Sequence, residues 1–129
     1  MILLDTHVLI WLAREPGKLS RVASQAIQEA AGRGGLAISA ITLWEVAWLA
    51  THRRLQINGT AEAFVERISS RTAILPITVR VAVLANQFGD SYSSDPADRL
   101  IGATALFEAI PLVTKDRNLR ESKELRTIW

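Results

Sequence analysis

Four short apolar runs, each ending abruptly at polar or turn-forming residues, constrain this chain more than anything else in it. They are Ile2-Leu3-Leu4 before Asp5, Leu36-Ala37-Ile38 before Ser39, Ala73-Ile74-Leu75 before Pro76, and Leu112-Val113 before Thr114. Runs this short and this apolar read as buried strands rather than helices. Between them lie segments with apolar residues at helical spacing. Val8 to Leu12 follow Asp5-Thr6 and stop at Pro16-Gly17; Val22, Ala23, Ala26, Ile27 and Ala30 follow Ser20 and stop at the Gly32/Gly34/Gly35 cluster. Leu43, Val46, Ala47 and Ala50 share one face of a third segment. Thr60 and Thr78 cap two more helices, and Asp95-Pro96-Ala97-Asp98 opens one that runs to Phe107. Thr127-Ile128-Trp129 adds an edge strand, and residues 89–94 read as a loop. Buried strands alternating with amphipathic helices, without hairpin signals, require crossover connections. The expected architecture is a three-layer α/β/α sandwich around a small, mostly parallel sheet, in one domain spanning 1–129.

Composition removes several classes of chemistry. With no cysteine among 129 residues, disulfides, thiolate zinc sites, iron–sulfur clusters and a cysteine nucleophile are excluded. Two histidines, His7 and His52, offer little for an imidazole-rich metal site. The longest charge-free stretch, 34–44, is too short for a bilayer, and no secretion signal is evident, so a soluble cytoplasmic protein is expected. The net charge of +2, with Arg supplying most of the basic residues, permits nucleic-acid binding without arguing for it.

In open parallel sheets, ligands bind beyond the carboxyl ends of the strands. That rule selects four acids. Asp5 follows the first strand, Glu45 lies early in the helix after the second, Asp98 begins the helix before the fourth, and Asp116 comes just after the fourth. Singly, each has an ordinary structural explanation. Asp5 and Asp116 are helix caps by position, Thr42-Leu43-Trp44-Glu45 matches a capping box, and Asp98 opposes a helix dipole. Jointly they would repel one another unless protons or cations compensate. Oxygen-only ligands select a hard ion, Mg2+ or Mn2+, able to orient water for attack on a phosphate. Phosphodiester hydrolysis is the leading expectation. A phosphoryl-transfer domain using the same pocket, or a non-catalytic RNA- or protein-binding module, are the alternatives. Against a phosphatase, Asp5-Thr6-His7 lacks a second Asp two positions on.

The chain resembles the PIN domain family, specifically the toxin ribonucleases of VapBC-type toxin–antitoxin pairs. The resemblance rests on I-L-L-D-T-H-V-L-I-W at 2–11, T-L-W-E-V-A at 42–47, D-P-A-D-R-L-I-G-A-T-A at 95–105 and L-V-T-K-D at 112–116, in that order. It implies a PIN-like fold, a compact acidic site for Mg2+ or Mn2+, and cleavage of RNA. Carried over by position, Asp5, Glu45 and Asp98 are the core acids and Asp116 the more variable fourth. Thr6 and Thr114 flank the site, Asp95 sits beside it as support or N-cap, and Arg99 ion-pairs with a carboxylate or touches RNA. For His7 a buried structural role is expected. The resemblance further implies a homodimer and a cognate antitoxin that covers the cleft; DNA would be met only through that antitoxin.

The remaining conspicuous residues have plain readings. Core packing is expected for Trp11, Trp44, Trp48 and Trp129, with an exposed Trp44/Trp48 stripe for a partner as the alternative. His52-Arg53-Arg54 reads as a solvated helix end, and Gly32-Arg33-Gly34-Gly35 lacks the Gly-Lys-Ser/Thr of a nucleotide-binding loop.

Overall fold

The computed structural model describes residues 1–129. Five strands, β1 (Ile2–Leu4), β2 (Leu36–Ser39), β3 (Thr72–Leu75), β4 (Leu112–Val113) and β5 (Thr127–Ile128), form one sheet in the order β3-β2-β1-β4-β5. Every pairing is parallel, with Ile2 opposite Leu36 and Leu3 opposite Leu112. The expected sheet was mostly parallel; the observed one is wholly so. Seven helices complete the chain: α1 (Thr6–Arg14), α2 (Arg21–Gly32), α3 (Ala40–Thr51), α4 (Ala61–Ser69), α5 (Val79–Gln87), α6 (Pro96–Glu108) and α7 (Arg117–Arg120). A 3-10 turn at Pro16–Lys18 separates α1 from α2.

Strands β1, β2 and β4 are buried because helices cover both faces there, whereas the edge strand β3, expected to be buried, leaves Ala73 and Ile74 exposed because no further strand or helix closes over them. Alternate strand residues point to opposite faces, and they separate two clusters here. Ile2, Leu4, Leu36 and Ile38 pack with Val8 and Leu9 of α1, Ile27 of α2, Val46 of α3 and Phe64 of α4. Leu3, Ala37 and Leu112 pack with Val81 and Ala85 of α5, Ile101 and Ala105 of α6, and Leu119 of α7. Strand β1 lies at the centre and is buried throughout.

Strand order decides where a ligand can sit. From β1 the chain winds outward through β2 and β3, then returns to the other side of β1 to lay down β4 and β5. The winding direction therefore reverses between β1 and β4. Crossovers leave on opposite faces there and open a crevice beyond the strand ends. Asp5 and Thr114, the residues just after β1 and β4, border that crevice.

The helix caps are mostly those the residue types suggest. Ser20, Thr60 and Thr78 each accept a backbone N–H from three residues on. The capping box at Thr42 does not form. Helix α3 already begins at Ala40 with Ser39 at its N-cap, which places Thr42 inside the first turn with its side chain fully buried.

The segment between α5 and α6 is tied down by Tyr92, which stacks on Phe88 with centroids 4.0 Å apart and donates from its hydroxyl to the Asp98 carbonyl at 3.0 Å. That hydroxyl occupies the space where a side chain at Gly102 would project. In an exposed helix Gly→Ala gains about 1 kcal/mol. Gly102→Ala is instead expected to destabilise by about 1–3 kcal/mol, because the methyl group must displace the Tyr92 ring. Urea unfolding of the variant beside Tyr92→Phe checks this.

Candidate metal and phosphodiester site

Asp5 is the most deeply buried of the candidate acids, at 3% exposure. It caps α1: its Oδ1 accepts from the Thr6 N–H at 2.8 Å, and its Oδ2 accepts from the Thr114 hydroxyl at 2.6 Å. The same Thr114 oxygen accepts from the Asp116 N–H at 3.0 Å, linking the end of β4 to the start of α7. Asp116 caps α7 through Oδ1, which accepts from the Leu119 N–H at 3.1 Å.

Glu45 enters from α3. Its Oε1 accepts from the Thr6 hydroxyl at 2.5 Å, and the Thr6 and Thr42 hydroxyl oxygens lie 3.0 Å apart. Thr6 has one hydroxyl proton and it points at Glu45, so Thr42 donates to Thr6. A chain of hydroxyls therefore runs from the core to the carboxylate, each bond polarising the next.

Asp98 stands in the first turn of α6. Its Oδ2 accepts from the Ser93 hydroxyl at 2.7 Å. Asp95 is the N-cap, accepting from the N–H groups of Ala97 at 2.8 Å and Asp98 at 3.2 Å. Its part is to end the helix and hold Asp98 in place.

Electrostatics reveal the crowding. Burial pushes Glu45 above the ordinary carboxylate range; the Thr6 hydrogen bond opposes this, while the charges of Asp5, Asp98 and Asp95 add to it. Asp98 is raised to about 6 by burial, against its Ser93 hydrogen bond, with Asp5, Asp95 and Asp116 contributing further repulsion. Tyr92 is raised as well, first by burial and then by Asp98, Asp5 and Asp116. Acids from α1, α3, α6 and the end of β4 thus share one electrostatic neighbourhood.

The carboxylates do not form a ready-made cage, since no three acidic or histidine side chains converge tightly enough to enclose an ion. The donor set nevertheless fits a hard cation. It is all oxygen, its charges repel, and Glu45 Oε2 and Asp98 Oδ1 accept no hydrogen bond from the chain. No buried side-chain polar atom lacks a partner, so these two oxygens face solvent. An ion that keeps much of its water shell needs only one or two direct carboxylates, with the others reached through water.

Three expectations need correction. Arg99 forms no ion pair with a site acid; its guanidinium donates to the carbonyls of Ala85 and Phe88, each at 3.2 Å, and so ties α6 to the end of α5. His7 is not buried: its side chain is 35% exposed, with Nδ1 3.6 Å from Asp5 Oδ2 and Nε2 facing the Lys115 N–H at 3.4 Å. It lies in the first turn of α1 with its ring against Trp11, which covers it only in part. The tryptophans do not share a core role either. Trp44 and Trp48 are 62% and 38% exposed, and Trp11 joins neither apolar cluster, whereas Trp129 packs against the first. Two contributors had no obvious sequence signal. Thr42 was masked by its match to a capping box, and Ser93 sits in a polar loop where serine is commonplace.

The raised Asp98 has a consequence for stability. Its ordinary value is 3.8 and its folded value about 6, so between those pH values the folded state holds more protons than the unfolded one. The cost of the charged form is absent below about pH 4 and complete above about pH 6. In EDTA at pH 7.5, Asp98→Asn is therefore expected to stabilise the fold, by about 1 kcal/mol after allowance for partial solvent exposure. The gain should vanish near pH 4, as read by urea unfolding at the two pH values.

Comparison with known proteins identifies the family. The PIN domain family profile matches residues 2–125. Ribonuclease VapC22 of Mycobacterium tuberculosis is 42% identical over 130 aligned residues, covering 99% of this chain and 98% of that protein. Among solved structures, a toxin–antitoxin complex from Klebsiella pneumoniae superposes with a TM-score of 0.70 at 24% identity, covering 97% of this chain and 95% of that one. A DNA-bound VapBC from Salmonella typhimurium gives 0.71 at 22% identity, covering 98% and 97%. These two show a shared fold, and together with the profile and the full-length relative they lead to one assignment: the chain belongs to the PIN domain family.

Proposed function

We propose that this protein is a Mg2+- or Mn2+-dependent endoribonuclease, the toxin of a type II toxin–antitoxin pair. The observation that carries this reading is the group of neighbouring carboxylates near the switch between β1 and β4, Asp5 buried and Glu45 and Asp98 each with one oxygen facing solvent. The nearly full-length similarity to a protein named ribonuclease supports it.

Asp5, Glu45 and Asp98 would hold the ion directly or through water, and Asp116 would support it from the end of β4. Bound there, Mg2+ or Mn2+ offsets the carboxylate charge and the charge that develops on phosphate during cleavage. The chain does the positioning. Thr114 and the Thr6 N–H fix Asp5; Thr42 and Thr6 fix Glu45 so that Oε2 stays free; Ser93 fixes Asp98 so that Oδ1 stays free.

The proposal extends to partners. It includes a cognate antitoxin, as in the Klebsiella pneumoniae complex of similar fold, and on this reading the antitoxin covers the cleft and alone meets DNA. A second copy of the chain completes a homodimer, with the exposed indole of Trp44 as apolar surface available for burial. No helix is long and apolar enough to cross a membrane, in keeping with cytoplasmic RNA as substrate.

Asp5→Asn and Asp98→Asn are each expected to lower the rate of RNA cleavage by about a hundredfold or more while the protein remains folded. EDTA should stop the wild type, and Mg2+ or Mn2+ should restore it. Gel analysis of a structured RNA should show fragments with defined ends. Full activity in both variants, purified free of host nucleases, would falsify the assignment. Release of phosphate from small monoesters would favour the phosphoryl-transfer alternative, and intact RNA with metal-independent binding would favour a binding module.

A further inference from the structure

Beside the acids runs a row of aromatic rings, of which the core takes up only Trp129 and the proposed chemistry none. His7 and Trp11 lie one turn apart on α1, with centroids 4.8 Å apart. Trp129, just after β5, follows Trp11 at 6.0 Å. The row begins at the site, because His7 Nδ1 is 3.6 Å from Asp5 Oδ2. Two ammonium groups flank its middle: Lys115 Nζ and Lys18 Nζ lie 5.7 and 5.8 Å from the Trp11 centroid. Lys18 also pairs with Glu15 at 2.7 Å, whereas Lys115 has no carboxylate within salt-bridge distance.

A packing role does not account for Trp11. The indole is half-exposed and joins neither apolar cluster, so its ring costs hydration without closing the core. Aromatic rings a few ångströms apart, with cations alongside, are what non-specific readers of single-stranded nucleic acid present. Bases stack on the rings whatever their identity, and the cations follow the phosphates. An acidic site repels a polyanion, so positive charge is needed at its margin, and Lys115 stands one residue from Asp116.

We propose that His7, Trp11 and Trp129, with Lys115 and Lys18, form a stacking track that holds single-stranded RNA next to the scissile phosphate. Unpaired bases lie along the rings, and the strand leads past Asp5 into the acidic crevice. The track rests on the ribonuclease reading but can fail without it. Duplex RNA, whose bases are already stacked, gains nothing from these rings.

The test is binding of a fluorescein-labelled single-stranded RNA octamer, followed by anisotropy in EDTA, where cleavage does not interfere. Trp11→Ala is expected to weaken binding about tenfold and Trp11→Phe much less, with little change for a duplex of the same length. Lys115→Gln, which leaves the indole in place, should weaken binding and reduce its salt dependence by about one phosphate contact. In cleavage assays with Mg2+, Trp11→Ala should raise KM while kcat stays within about twofold. Circular dichroism and melting establish that each variant is folded. Folded Trp11→Ala and Lys115→Gln proteins that bind the octamer as tightly as wild type, and cleave with unchanged KM, overturn the track and leave the nuclease standing. A wild-type protein that cleaves no RNA overturns both.

Discussion

Partial burial of neighbouring carboxylates, which also repel one another, is the constraint around which the rest of this structure is arranged. Asp5, Glu45 and Asp98 come from α1, α3 and α6, and each is held by a hydroxyl donor rather than by a cation of the chain. No arginine or lysine lies within salt-bridge distance of them. An arrangement that leaves its acids uncompensated, with two of them above the ordinary carboxylate range, stores unfavourable energy at one place. A divalent cation bound as proposed would recover such energy. On that proposal, stability is sacrificed locally for a site that gains by being filled.

The fold makes that sacrifice tolerable. Strand β1 is buried on both faces and paired on both edges, so the Asp5 backbone is anchored by a strand at the centre of the molecule. Reversal of winding between β1 and β4 brings the start of α1 beside the end of β4. Threonines then bridge the elements: Thr114 joins β4 to Asp5, and Thr6 joins α1 to Glu45 on α3. Threonine suits this work because its hydroxyl both donates and accepts, as Thr114 does between Asp5 and the Asp116 N–H.

Much of this was legible in the residues. A wholly apolar Ile2-Leu3-Leu4 ending at Asp5 reads as a buried strand with an acid at its exit, and the caps at Ser20, Thr60, Thr78 and Asp95 follow from short polar side chains ahead of apolar periodicity. What escaped depends on three-dimensional neighbours. Thr42 matches a capping box in sequence, yet the helix starts two residues earlier, and burial turns its hydroxyl toward Thr6. Arg99 follows an acid in sequence but reaches back to the carbonyls that end α5. A tryptophan carries no mark of whether its ring will be covered, so Trp44 in the open and Trp129 against the core look alike in the sequence.

The most direct test of the central claim is a crystal structure of the protein soaked in Mn2+, read from the anomalous signal of the ion. The account predicts a peak beyond the carboxyl ends of β1 and β4, about 2.2 Å from at least one oxygen of Asp5, Glu45 or Asp98, with water completing the shell. A well-ordered crystal with no peak there, or with manganese bound only elsewhere on the molecule, would contradict it.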